Sequence, residues 1–443
     1  MSRRPEISER KFTSEAVESL IVEIKSAIKD QEIAELFENC YPNTLDTTVS
    51  YSNSNGTPDT FVITGDIEAM WLRDSSAQIN PYLPLLNDDN NLKDMVKGVI
   101  NRQVACILLD PYANAFTLNS DKSPWESDLT EMKPGVFERK WEIDSLCYPV
   151  RLAYKYWKIT GDSSCFGANW KNAAKLIYKT FKEQQRLNDR GPYKFGRITG
   201  WSTDTVPGNG YGNPVNPIGL VVSVFRPSDD ATVFPFLIPA NLYIVVILKQ
   251  LSEILQEVYN DSEFASLCVS FAGELHACIN EYAVCDKKGY GKIYAYEADG
   301  FGNHLFMDDA NIPGLLALPY LESCDVDDVI YQNTRKYLLS KNNPYFFSGS
   351  AAEGIGSPHT LVDNIWHIGI ITRAITSIDD TEIVSCLKML KSTHNGTGFM
   401  HESFDKNNAG DFTRKWFAWA NSYFGELIVK LFNEKPALLQ REF

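Results

Sequence analysis

The chain has 443 residues, 44% hydrophobic and 22% charged, the balance of a folded globular protein rather than a disordered or collagen-like one. Its 42 basic against 57 acidic residues leave a net charge of −15, which excludes the basic face that a nucleic-acid partner needs and leaves neutral sugars open as ligands. The nine cysteines, an odd number with no Cys-x-x-Cys pair, exclude a disulfide framework read from spacing and point to free thiols in a reducing compartment.

Residues 1–11 are polar and charged and lack the apolar core of a secretory signal, so a cytoplasmic location is expected. Without a signal, the sequons at Asn55, Asn260 and Asn395 read as chance matches. Helical periodicity begins at 14–29, where Val17, Leu20, Ile21, Ile24 and Ile28 share a face and Ser14 is the candidate cap. Helices are then predicted at 73–86, 91–109, 144–160, 169–187, 230–257, 262–283, 308–320, 325–339, 361–376, 379–391 and 412–433. Short strands are predicted near 60–63, 221–225 and 292–295. No apolar stretch reads as long enough to span a membrane, so no membrane partner is expected. No linker, charge block or fixed repeat divides the chain, and a single domain over 1–443 is expected. Many helices with alternating short and long connections suit an all-α helical toroid.

Function concentrates in loops held by such a scaffold. Five stretches, 64–80, 121–144, 196–230, 296–311 and 394–405, gather Gly, Pro, Trp, Asp, Glu, Asn and His. In the first, Asp66, Trp71, Arg73 and Asp74 stand just before an apolar run. Arg73 and Asp74 suit vicinal hydroxyls through charge-assisted hydrogen bonds, although Asp74 also reads as a plain helix cap. In the second, Trp125-Glu126 and Trp141-Glu142 suit the wall of a sugar subsite, with Asp144 as a helix cap. In the third, Arg226-Pro227-Ser228-Asp229-Asp230 sets two acids at a predicted helix start; a cap accounts for one of them. A general acid there requires burial to outweigh the helix dipole. In the fourth, His304 neighbours Asp308 and Asp309, and in the fifth His401 and Glu402 lie among anchoring apolar residues. No His-Glu-x-x-His, EF-hand loop, phosphate-binding loop or Gly-x-Ser-x-Gly elbow is present, so neither metal nor cofactor is expected.

The stretches Gly65–Ser75, Arg226–Asp230 and His401–Phe404 resemble, in wording, order and separation, glycoside hydrolase family 125, and the resemblance spans nearly the whole chain. It implies an (α/α)6 barrel with long active-site loops and a few short strands. It also implies inverting, metal-independent release of non-reducing terminal α-1,6-linked mannose from oligosaccharides or N-glycan fragments. The general acid falls on Asp229 by its separation from Glu402, with Asp230 as the alternative that a one-residue insertion would select; the general base falls on Glu402. Sugar contacts fall on Asp66, Trp71, Arg73, Asp74, Trp125, Trp141, Arg226, His304, Asp308 and His401. The rival readings are another helical-toroid glycosidase, a disaccharide phosphorylase, which needs a cationic phosphate pocket in place of a base, and a non-catalytic sugar-binding protein, which is expected to have lost one acid. Oligomeric state is not implied.

Overall fold

A computed structural model describes residues 2–54, 56–119 and 122–443. Asn55 of the first sequon and Asp121, where the second loop begins, lie outside the described residues.

Fourteen α-helices and fifteen short strands occur among the described residues, and most of the longer helices are of two kinds, Ala168–Gln184 being uncapped and only partly buried. Leu72–Ile79, Asp144–Thr160, Ile238–Glu257, His367–Ile375 and Ala418–Glu434 have no side-chain cap and are buried over most of their length. Three of them leave a short strand directly: Met70–Trp71, Phe236–Leu237 or Asn364–Trp366. By contrast, Glu15–Ala27, Gln31–Cys40, Asn90–Leu109, Ser262–Tyr282, Val329–Leu338 and Asp380–Thr393 each begin on a Ser or Asp whose side chain accepts a first-turn N–H. Such a cap contributes about 1 kcal/mol, which suits helices with one face in water.

The buried helices pack in chain order, with the last closing onto the first. Ile238–Glu257 lies on Asp144–Thr160, which lies on Leu72–Ile79; that helix meets Ala418–Glu434, which meets His367–Ile375. Capped helices back several of them: Ser262–Tyr282 on Ile238–Glu257, Asn90–Leu109 on Asp144–Thr160, and Asp380–Thr393 on His367–Ile375. One connected hydrophobic cluster runs from Val17 to Leu439.

Several expectations need correction. The 308–320 stretch is a run of turns, because Pro313 lacks an N–H and the Asp308 carboxylate takes the backbone N–H groups of Leu315 and Leu316 at 2.8 and 2.9 Å. The helix predicted at 230–257 starts only at Ile238, after the strand Phe236–Leu237. The 221–225 strand reduces to an isolated bridge between Phe225 and Ala231. The helix Gln31–Cys40 has no counterpart among the predicted elements. The strands form six sheets of two or three strands, so the chain is helix-rich rather than purely helical. Finally, Ile238–Glu257 is long and apolar enough to cross a membrane by length and composition, with mean hydropathy 1.4. Its apolar window is 78% buried inside the protein, as befits a core helix that is hydrophobic all round.

Candidate active site

Three of the buried helices begin at one small cavity of about 150 Å³. Trp71, Arg73 and Asp74 enter it from the start of Leu72–Ile79, Trp366 from the N-cap of His367–Ile375, and Phe417 and Trp419 from the start of Ala418–Glu434. Asp229, Asn311, His359, Glu402 and Arg414 complete its polar wall. A larger cavity of about 910 Å³ lies at the opposite ends of these three and of Asp144–Thr160, near Asn80, Ile159, Ile375 and Glu434. Arg151, Lys155, Lys158 and Lys430 line it, as expected of cations beside helix C-termini.

Arg73 organises one wall of the small cavity. Its Nη1 donates to Glu142 Oε2 at 2.7 Å and Asp144 Oδ2 at 3.0 Å, while Nε lies 3.5 Å from Asp74 Oδ2 and Nη2 3.7 Å from Asp229 Oδ1. Four carboxyl groups thus surround one buried guanidinium. Burial raises the pKa of Asp74 to about 6 despite Arg73. Asp229 is held in a left-handed conformation, φ 66°, by a turn in which its N–H donates to the Arg226 carbonyl and the Arg226 N–H to the Asp230 carbonyl. Its Oδ1 accepts from Asn114 Nδ2 at 3.1 Å, and Lys140 Nζ donates to its backbone carbonyl at 2.9 Å.

The other acid approaches from a different part of the chain. Glu402 precedes the strand Ser403–Asp405, which pairs with both Asn364–Trp366 and Asn408–Thr413. Thr413 Oγ1 donates to Glu402 Oε2 at 2.9 Å, and Arg414 Nη1 lies 3.4 Å from Oε1. Asp230 is turned away from the cavity: Thr203 Oγ1 donates to its Oδ1 at 2.5 Å, and His359 Nδ1 lies 3.2 Å from its Oδ2.

A cavity with two separately held carboxylates, cationic and aromatic walls and uncapped helix starts suits glycoside chemistry. The family model for metal-independent α-mannosidases of glycoside hydrolase family 125 matches residues 30–429. The chain belongs to this family. It is therefore a hydrolase of the α-mannosidase class. It is 42% identical to the meiotically up-regulated gene 157 protein of Schizosaccharomyces pombe, over 99% of this chain and 90% of that one. A solved structure from Streptococcus pneumoniae, a metal-independent α-mannosidase in a non-productive substrate complex with α-1,6-mannobiose, is 40% identical with a TM-score of 0.92, covering 96% of this chain and all of that one. The Saccharomycopsis fibuligera glucoamylase, at 14% identity and a TM-score of 0.54 over 98% and 99% of the two chains, shares the fold alone.

Of the residues singled out from the mannosidase sequence, Trp71, Arg73, Asp74, Asp229 and Glu402 line the cavity. The others lie outside its lining, each for a physical reason. Asp66 is an exposed ion-pair partner of Arg414. Trp125 lies under the Arg197 guanidinium, 3.7 Å away. Trp141 is 1% exposed and donates its indole N–H to the Val222 carbonyl at 2.7 Å. Arg226 pairs with buried Glu297 at 2.6 Å. His304 Nε2 is engaged by the Tyr282 carbonyl at 2.7 Å. Asp308 caps the turn at Leu315 and Leu316, and His401 is stacked on Phe412 with ring centroids 3.8 Å apart. Asn311, His359, Trp366, Arg414, Phe417 and Trp419 line the cavity and were not among the predicted residues. Trp366, Phe417 and Trp419 lay inside the helices predicted at 361–376 and 412–433, and only the observed starts at His367 and Ala418 bring them to the cavity.

Proposed function

We propose that this α-mannosidase is exo-acting and inverting and removes non-reducing terminal α-1,6-linked mannose from oligosaccharides or N-glycan fragments. Asp229 is its general acid and Glu402 its general base. The observation that carries the reading is that these two carboxylates, far apart in sequence and anchored by different elements, line one small cavity. Its volume of about 150 Å³ is below the roughly 300–1,000 Å³ of pockets for drug-sized ligands, which favours one terminal ring over a chain. The bound α-1,6-mannobiose of the Streptococcus pneumoniae relative supports the linkage.

In this mechanism Asp229 protonates the glycosidic oxygen as the C1–O bond breaks and its electron pair passes to that oxygen. Glu402 takes a proton from the water that attacks C1 on the opposite face. Thr413 and Arg414 aim the base. Arg73 and Asp74 hold sugar hydroxyls, and the aromatic side chains of Trp71, Trp366 and Trp419 supply apolar wall. The scaffold in this reading is one catalytic domain over 1–443 built on an (α/α)6 barrel. Five buried helices, three of which start at the cavity and several of which are backed by capped ones, support it, with the 308–320 turns in the place of a sixth. Cytoplasmic residence belongs to the same reading and is supported by nine free cysteines.

The test is hydrolysis of α-1,6-mannobiose in excess EDTA, with NMR of the first-formed anomer. β-Mannose appearing first supports inversion at the proposed linkage. α-Mannose appearing first overturns the inverting mechanism, and turnover of α-1,2- or α-1,3-mannobiose in preference overturns the linkage.

A further inference from the structure

Asp229 reaches the cavity with a partner behind it. Glu142 is 0% exposed, and it shares the Arg73 guanidinium with Asp229: Nη1 lies 2.7 Å from Glu142 Oε2 and Nη2 3.7 Å from Asp229 Oδ1. Glu142 Oε2 already accepts from Arg73 at 2.7 Å and from Ser145 Oγ at 3.0 Å. Its Oε1 is buried without an N–H or O–H donor. Four carboxyl groups face one buried guanidinium, and a carboxyl oxygen that no donor reaches is where a proton costs least, so the geometry favours a proton on this cluster.

The surroundings agree. Glu142 faces Arg73 from Leu72–Ile79, Asp144 from its own side, and Asp229 from the 226–230 turn. Asp229 faces Arg73, Lys140 and His359 as well. Burial, joined by the charges of Asp229 and Asp144, drives Glu142 well above the usual carboxylate range despite Arg73. Burial opposes the ionisation of Asp229, yet Lys140, with Arg73 and His359, holds it below that range. The place for the resting proton is Glu142 Oε1, which no donor reaches, whereas Asp229 Oδ1 already accepts from Asn114. The side chain of Asp229 keeps 22% of its surface exposed, and that of Glu142 none.

We propose that Glu142 is a positioning residue that holds the proton which Asp229 delivers to the leaving oxygen. This rests on the reading of Asp229 as general acid. As the substrate docks, the O–H bond of Glu142 breaks and one to Asp229 forms, leaving Glu142 as a carboxylate held by Arg73 and Ser145. Asp229 then passes the proton to the glycosidic oxygen as its bond to C1 breaks. Glu402 acquires one proton from the attacking water. After product leaves, Glu402 releases that proton to solvent and the Asp229–Glu142 pair takes one up through the open cavity, so the cycle closes. A two-carboxyl acid of this kind titrates as a unit and stays charged with its proton at a pH where a lone Asp would be ionised.

The test compares the wild-type chain with Glu142→Gln on two substrates, α-1,6-mannobiose and α-mannosyl fluoride, whose fluoride leaves with little need of an acid. The variant is expected to lose about 100-fold or more in kcat/KM on mannobiose, the scale of general-acid catalysis, and at least ten times less on the fluoride. Its basic limb on mannobiose is expected to move to lower pH. Equal losses on both substrates, or an unmoved limb, overturn the proposal and leave Glu142 a structural role. Should Glu142→Gln not fold, Glu142→Asp, which keeps a carboxyl but draws it back from Asp229, is read on the same substrate ratio and the same limb. Asp229→Asn separates the two claims: if it hydrolyses mannobiose normally, the general-acid reading fails; if it loses mannobiose but Glu142→Gln does not, only the proton-holding role fails.

Discussion

His359 Nδ1 and Asp230 Oδ2 lie 3.2 Å apart, and this contact sorts the two adjacent acids. Asp230 lies outside the cavity lining and is engaged by Thr203 and by His359 of the cavity wall, while Asp229 faces inward. Burial alone would lower the His359 pKa, but the hydrogen bond and charge of Asp230, with Glu402 and Asp229 beyond, raise it to about 9 from 6.5. A group whose folded pKa is raised gives stability that is full below the unfolded value and lost as pH rises through the folded one. His359 therefore contributes fully below 6.5 and loses its contribution on the way to about 9. An imidazole NMR titration is expected to place its midpoint near 9, and Asp230→Asn is expected to bring it down to 6.5 or lower. A wild-type midpoint already near 6.5 would remove this role for Asp230.

The same sorting sets an order among acid substitutions. Asp229→Asn and Glu402→Gln are each expected to cost about 10²–10⁴ in kcat on α-1,6-mannobiose, the range for general acid–base groups. Asp230→Asn is expected to cost less than either, since it acts through His359 and the turn. Steady-state kinetics, with thermal unfolding as the control for folding, check the order. A larger loss at Asp230 than at Asp229 would transfer the acid role to Asp230.

Arg414 ties the base to the loop that opens the first cavity-lining helix. It lies 3.4 Å from Glu402, bonds Asp66 and Thr64, and sits over the Phe417 ring at 4.8 Å. A lysine keeps the charge but lacks the planar fork that reaches three partners at once. Arg414→Lys is expected to lower kcat about tenfold, equivalent to ~1.4 kcal/mol of lost orientation, with a smaller change in KM. An unchanged kcat would show that Thr413 suffices to hold Glu402.

The legible part of the site is the part written in short contiguous runs. Arg73 and Asp74 precede an apolar run, Asp229 follows Arg226-Pro227, and Glu402 sits among aromatic residues, so local pattern marks each of them. His359 and Arg414 enter the cavity from turns with no such pattern; only the pairing of Ser403–Asp405 with two neighbouring strands brings Arg414 beside Glu402. Trp141 and His401 mislead for the opposite reason. They stand in the same aromatic and acidic loops, but those loops fold inward, and the two rings pack on Tyr112 and Phe412. Most helices followed from periodicity. The 308–320 turns did not, because apolar spacing there is consistent with a helix while Asp308 claims the backbone donors a helix needs. The alternation of uncapped and capped helices was half legible: Ser14 was read as a cap, whereas the absence of a cap at Trp366 gains meaning only once that helix start is seen at the cavity.

Gly65 joins the two halves of the cavity wall, and its substitution tests how much the site depends on that joint. Its φ is +126°, and it bridges Phe417; the Asp66 N–H donates to the Trp416 carbonyl at 3.3 Å and the Ala418 N–H to the Thr64 carbonyl at 3.1 Å. This short ladder sets Trp71, Arg73 and Asp74 opposite Arg414, Phe417 and Trp419. A Cβ at Gly65 would come within 2.4 Å of the Trp416 carbonyl oxygen, and backbone rather than a flexible side chain would have to move. Strained backbone alone costs about 1–3 kcal/mol. Gly65→Ala is therefore expected to lower the unfolding temperature and to cut kcat as the two walls separate. Gly396→Ala is the matched control, since Gly396 also has a positive φ, +66°, but nothing lies within 4 Å of its Cβ position. Its loss of stability is expected to be about 1 kcal/mol, with kcat intact. Equal effects from the two substitutions in thermal unfolding and kinetics would mean that backbone conformation, and not the contact with Trp416, governs the joint; a larger loss at Gly65 in both readouts ties catalysis to the ladder between 64–66 and 416–418.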